Sequence, residues 1–263
     1  MSISIYQVDA FTEKAFKGNP AGVCILAEEK SETWMQAVAN EMNLSETAFL
    51  YKQDGYFDLC WFTPTVEVDL CGHATLASAH ILWEMGYLNK REEARFQTKS
   101  GLLTAKLDSD WILLDFPAEP SSEATAPDFI TEALKASPVY SGKNRMDYIF
   151  ELESEEAVKN LEPHLNLLKE LDCRGIIVTS RSNSDEYDFV SRFFGPRAGV
   201  DEDPVTGSAH CCLGTYWQER LGKSELVGYQ ASARGGMVKV KVVGDRVILA
   251  GKAVTVLKGE LFG

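Results

Sequence analysis

Hydrophobic and polar positions alternate along "ISIYQVDAF" (residues 3–11), the period of a strand with one buried face. A Gly-Asn-Pro-Ala-Gly loop in "FKGNPAGVCIL" (16–26) runs into a second strand. The period then changes. In "SETWMQAVANEMN" (31–43), Trp34, Val38 and Met42 recur at helical spacing behind Ser31, a good capping residue, and predict an amphipathic helix. "ETAFLYKQDGYFDLCWFTP" (46–64) predicts two strands about an Asp54-Gly55 turn. "GHATLASAHILWEMGYL" (72–88) is apolar nearly all round, so its helix is expected to be buried on every side. Strands are expected at 94–107 and 111–116.

The second half follows the same plan. A helix is expected at 155–171 and strands at 175–180 and 187–194. A small-residue, apolar helix follows at 207–222, then strands at 227–233, 236–243 and 246–256. "PAEPSSEATAPDF" (117–129) is the best linker candidate, being rich in Pro, Ser, Ala and Glu. The two halves share a local pattern. Phe62-x-Pro64-x-x-x-Val68-Asp69 and Phe194-x-Pro196-x-x-x-Val200-Asp201 each precede, within a few residues, a Gly-containing helix. Two similar halves, each a sheet wrapped on one buried helix, imply a cleft between them, a usual place for a small-molecule site.

Composition narrows the function. A formal net charge of −13 argues against nucleic acid or an anionic membrane as a partner, since both require basic surface. No basic stretch followed by an apolar core opens the chain, and no apolar run is long enough to span a bilayer. The six cysteines form no CxxC pair and read as reduced thiols of a cytoplasmic protein.

The candidate chemistry gathers at the two helix starts. Backbone N–H groups there suit an anion such as a substrate carboxylate, and Gly72 and Gly207 permit close approach to the backbone. Asp203, followed by Pro204, has two readings: an N-cap with proline at the first helical position, or a group facing the site. Asp201 and Glu202 read as exposed acids. Glu46 is either a solvated strand-edge charge or a cleft carboxylate with a raised pKa serving as general base. His73 is a hydrogen-bonding group or proton carrier at a helix start, whereas His80 and His210 read as packing or surface residues. Cys71-Gly-His73 and His210-Cys211-Cys212 match no zinc spacing, so no metal is expected. There is no Walker A motif, no GxGxxG after a strand and no G-x-S-x-G elbow, which leaves nucleotide cofactors and esterase chemistry without support.

"YQVDAFTEKAFKGNPAGV", "NLSETAFL", "FTPTVEVDLCGHATLASAHIL" and "DEDPVTGSAH" together resemble the PhzF family of phenazine biosynthesis-like isomerases, over nearly the whole chain. The resemblance implies an α+β, diaminopimelate epimerase-like fold of two pseudo-symmetric domains, each a curved, mostly antiparallel sheet or barrel around a central helix. The division expected is 1–116 plus a returning strand at about 252–263, and 117–251. It further implies Glu46 as the acid/base residue, His73, Asp203 and Ser208 as substrate-pocket residues, and backbone groups near Gly72, His73, Gly207 and Ser208 as the carboxylate cradle. The implied reaction is a cofactor-independent proton shift in a small carboxylate substrate, like the isomerisation of 2,3-dihydro-3-hydroxyanthranilate, by a homodimer. Two alternatives stay open. One is a two-thiol racemase, for which Cys71 supplies the first thiol and the 203–205 motif offers no second. The other is a family member that binds a ligand or protein without catalysis.

Overall fold

The computed structural model describes residues 3–262, which divide into two compact units: residues 3–115 with 250–262, and residues 116–249. Along the first unit run β1 (Ile3–Ala10), β2 (Asn19–Leu26), α1 (Glu32–Met42), β3 (Glu46–Lys52), β4 (Phe57–Phe62), β5 (Glu67–Val68), α2 (Gly72–Glu84), β6 (Ala94–Thr98), β7 (Gly101–Asp108) and β8 (Trp111–Pro117). The second unit holds β9 (Ser122–Glu123), α3 (Ile130–Leu134), β10 (Tyr140–Lys143), β11 (Asp147–Glu151), α4 (Glu155–Lys159), α5 (Leu165–Leu168), β12 (Gly175–Arg181), β13 (Phe189–Gly195), β14 (Val200–Asp203), α6 (Gly207–Leu221), β15 (Glu225–Gln230), β16 (Gly236–Val243) and β17 (Arg246–Gly251). The last strand, β18 (Ala253–Leu261), pairs antiparallel with β1 and so returns the chain to the first unit.

The two units repeat one pairing scheme. In the first, β1–β2 is antiparallel, β2–β3 parallel, β3–β4 and β4–β5 antiparallel, β4–β6 parallel and β6–β7 antiparallel. In the second, β10–β11, β11–β12, β12–β13, β13–β14, β13–β15 and β15–β16 follow in the same senses. The shared Phe-x-Pro-x-x-x-Val-Asp pattern marks equivalent places: Phe62 and Phe194 lie late in β4 and β13, and Val68 and Val200 lie in β5 and β14. The fold is α+β, with each unit's sheet packed on its one long buried helix, α2 or α6.

Burial explains those helices. In α2, ten of thirteen residues are buried, Leu76, Ile81 and Leu82 completely. Ala74, Ala77, Ser78 and Ala79, small and buried, let strands approach closely. Gly214 in α6 shows the same, since a Cβ there would stand 2.6 Å from Val240 Cγ1. α1 behaves differently. Ser31 caps it, accepting a hydrogen bond from the Trp34 N–H at 3.2 Å. Trp34, Val38 and Met42 are half-buried against the core, while Met35 and Ala39 beside them go deeper.

Several expected elements change. The helix expected at 155–171 is broken into α4 and α5 because Pro163 lies between them; proline donates no N–H and holds the preceding residue out of helical conformation. The strand expected at 94–107 is a β6–β7 hairpin turning at Lys99 and Ser100, where Gly101 adopts φ +94°. That expected at 246–256 divides at Lys252 into β17 and β18. The linker candidate contains β9, which pairs with Gly142 and Lys143 as an edge strand of the second unit. β10, β11 and β14 lack an alternating pattern long enough to announce them.

His210 is fully buried, so a surface position for it is overturned. Its Nδ1 donates to the Thr206 carbonyl at 2.8 Å, and burial lowers its pKa to about 4, which keeps the ring neutral. The unfolded chain takes up this proton near pH 6.5. The stabilisation is therefore complete above pH 6.5 and is lost as pH falls from there to about 4, at roughly 1.4 kcal/mol per pH unit. Denaturant titrations across this range should show that slope in the wild type and a shallower one in His210→Gln.

Candidate active site

In the first unit, the β-sheet and the start of α2 bring four side chains together. Glu46 opens β3, where its backbone pairs with Ala21 of β2. His73 is the second residue of α2 and is buried. Its Nε2 lies 3.1 Å from Glu46 Oε2. The N–H is not directed at that oxygen, so these two buried atoms leave each other without a hydrogen bond. The other ring nitrogen, Nδ1, lies 3.2 Å from Asn19 Nδ2 and 3.5 Å from Cys71 Sγ.

The electrostatics follow from burial and these neighbours. Burial favours the neutral imidazole, but Cys71 and Glu46 favour the charged form and hold the His73 pKa well above its ordinary value. Burial, then the Glu46 charge, pushes the Cys71 thiol up. With the thiol protonated, the Glu46 carboxylate is the anion that supports an imidazolium. Ligand atoms of Glu46, Cys71 and His73 lie within 4.8 Å of one another. The carboxylate faces one ring nitrogen and the thiol the other.

In the second unit, Asp203 is the last residue of β14, not an N-cap. The helix begins three residues later than a cap at Asp203 requires: Thr206 is the N-cap of α6 and Gly207 its first residue. The Asp203 carboxylate accepts a hydrogen bond from the Thr206 hydroxyl. Gln230, fully buried at the end of β15, locks this turn. Its Oε1 accepts from the Thr206 N–H at 2.9 Å, and its Nε2 donates to the Asp203 carbonyl at 2.7 Å. Ser208, half-buried, follows Gly207 in the first turn, as His73 follows Gly72 in α2. Of the neighbouring acids, Asp201 is exposed, whereas Glu202 forms a two-pronged pair with Arg192 at 2.7 and 2.9 Å.

The internal repeat shows why an acid stands in one unit only. Thr47 pairs with Phe62 and Ile176 with Phe194, so the position equivalent to Glu46 is Gly175. A Cβ at Gly175 would lie 2.1 Å from the Phe193 ring, which leaves no space for any side chain. Likewise the N-cap equivalent to Cys71 is Thr206, a hydroxyl.

Sequence reasoning missed Asn19 and Gln230. Asn19 left one trace, its place between Gly18 and Pro20 in the loop before β2; Gln230, inside an ordinary strand pattern, left none.

The family model for phenazine biosynthesis-like proteins, PhzC-PhzF, matches residues 8–259. The chain belongs to this family. It is 59% identical, over 99% of both chains, to a protein of Halalkalibacterium halodurans named an uncharacterized isomerase. A crystal structure of a PhzF-family protein from Enterococcus faecalis superposes with a TM-score of 0.96 at 42% identity, covering 100% of both chains. The fold extends to a hydroxyproline epimerase of Agrobacterium vitis, with a TM-score of 0.65 at 10% identity over 99% of this chain and 92% of that one. At the level of the family, the chain is an isomerase. No helix among the described residues is long and apolar enough to cross a membrane.

Proposed function

We propose that this protein is a cofactor-independent isomerase that moves a proton between carbons of a small carboxylate substrate, with Glu46 as the acid/base group. The observation that carries this reading is the buried pair of Glu46 Oε2 and His73 Nε2, 3.1 Å apart and unsatisfied by each other. Buried polar atoms are costly without partners, and their persistence is a mark of a site that a ligand completes. The carboxylate removes a proton from an acidic carbon and returns it to another carbon on the same face. His73 Nε2–H donates to the substrate heteroatom where negative charge gathers. Asp203 receives a substrate amine or hydroxyl, and backbone N–H groups at Gly72, Gly207 and Ser208 receive the carboxylate.

Two features favour a single carboxylate base over paired thiols. The position equivalent to Cys71 in the second unit is Thr206, a hydroxyl in place of a second thiol. Burial keeps the thiols protonated: Cys71 is raised, and Cys211 and Cys212 are pushed up to about 12.

The test is proton NMR in D2O with 2,3-dihydro-3-hydroxyanthranilate, diaminopimelate and a panel of amino and hydroxy acids. Product signals or deuterium at carbon are expected with wild type and with Cys71→Ser. Turnover lost in Cys71→Ser but kept in Glu46→Gln would replace the carboxylate by the thiol. Ligand binding without turnover by the wild type would make the protein a binder. The same reading carries a homodimer, and a monomer in sedimentation at micromolar concentration would remove that part of it.

A further inference from the structure

The tripeptide Gly18-Asn19-Pro20 is built to deliver one carboxamide. Gly18 sits at φ +64°, and a Cβ there would fall 2.1 Å from the Ala10 carbonyl oxygen, so no other residue fits the turn. Pro20, paired with Asp9 across the β1–β2 ladder, restrains Asn19 to extended backbone. Asn19 itself is completely buried. A buried amide side chain held from both sides, with its Nδ2 at 3.2 Å from a histidine 54 residues away in sequence, is a costly arrangement for packing alone.

We propose that Asn19 is a positioning residue that fixes the His73 ring so that Nε2, the nitrogen 3.1 Å from Glu46 Oε2, is its hydrogen-bond donor. The proposal rests on the assignment of Glu46 and His73 as the reacting pair. The carboxamide nitrogen donates to Nδ1, which places the hydrogen of a neutral ring on Nε2. A charged ring also carries hydrogen on Nε2 and takes the carboxamide oxygen at Nδ1 instead. An amide can meet both states, whereas a carboxylate only accepts and an aliphatic side chain does neither. Cys71, the other group at Nδ1, is a weak S–H donor at 3.5 Å and holds the ring less firmly. Histidines in metal and acid/base sites are oriented in this way by the bond at their second nitrogen.

The experiment uses full-length protein carrying 15N-histidine, with His73 assigned through His73→Gln, and long-range 1H–15N spectra recorded from pH 5 to 9. Wild type is expected to keep a proton on Nε2 throughout. A neutral Nδ1–H tautomer in the wild type would overturn the proposal without need of any variant. Asn19→Leu should lose the tautomer preference and lower panel turnover by roughly 10- to 100-fold. Asn19→Asp adds a negative charge beside a ring already faced by Glu46 and Cys71, and should move the His73 titration and the pH profile of turnover upward together. A folded Asn19→Leu with wild-type His73 spectra and pH profile would also overturn it, leaving Asn19 a packing residue. Because the spectra need no substrate, a failed turnover assay or an active Glu46→Gln would count against the catalytic assignment alone.

Discussion

Glu46→Gln is expected to lower proton-transfer turnover by roughly 10²- to 10⁴-fold, the usual contribution of a positioned general base. Glutamine keeps the volume at the head of β3 and can still occupy the 3.1 Å approach to His73. It cannot accept a proton from carbon. Stability should change little, because Glu46 is half-buried and its backbone pairing with Ala21 is untouched. The loss should therefore appear in kcat, with ligand affinity changed far less. Two measurements decide it: deuterium entry at carbon by NMR, and the thermal midpoint. Turnover within about tenfold of wild type, with an unchanged midpoint, would show that Glu46 is not the base. Gly175 offers no substitute in the second unit, since the Phe193 ring fills the space a side chain would need.

The largest stability effect is expected at Trp217. This side chain is 2% exposed, stacks on Phe189 with ring centroids 6.0 Å apart, and donates its Nε1–H to Thr179 Oγ1 at 3.0 Å. Thr179 in turn donates to the Val190 carbonyl at 2.7 Å, so the indole ties α6 to β12 and β13. Trp217→Ala opens a large cavity and should cost about 3–5 kcal/mol, a fall of between roughly 6 and 20 °C in the melting of the second unit. Trp217→Phe restores most of the volume and loses the hydrogen bond, and should cost only about 1–2 kcal/mol. Calorimetry of the two variants separates packing from hydrogen bonding. Equal costs would mean that the Thr179 bond, not the filled volume, anchors the helix.

Local chemistry alone was enough to place the elements that carry strong periodicity or caps. Ser31 marks the start of α1 to the residue, and Asp54-Gly55 marks the β3–β4 turn, where Gly55 adopts φ +80° and Gln53 N–H bonds the Tyr56 carbonyl at 2.9 Å. The all-apolar faces of α2 and α6 declared that both helices are buried. The internal repeat was legible as well, because the turn before each central helix reuses the same Phe, Pro, Val and Asp. The chain also carries the motifs that place Glu46, His73, Asp203, Gly207 and Ser208 at the strand end and helix starts.

Long-range proximity was not legible. Asn19 and His73 stand 54 residues apart, and nothing local in either segment says that a carboxamide will meet an imidazole. Gln230 reaches Thr206 across 24 residues for the same reason. Asp203 followed by proline has the local signature of a cap, but the β13–β14 pairing carries the strand through Asp203 and passes the cap to Thr206. The sequence by itself determined the units of the fold and the residue types available for chemistry, since short-range sterics and hydrophobic period act within a few residues. Tertiary structure decided which nitrogen of His73 faces the carboxylate, why only one half of the repeat has room for an acid, and which thiols stay protonated, because hydrogen-bond direction, excluded volume and desolvation are set by groups that meet only when the chain has folded.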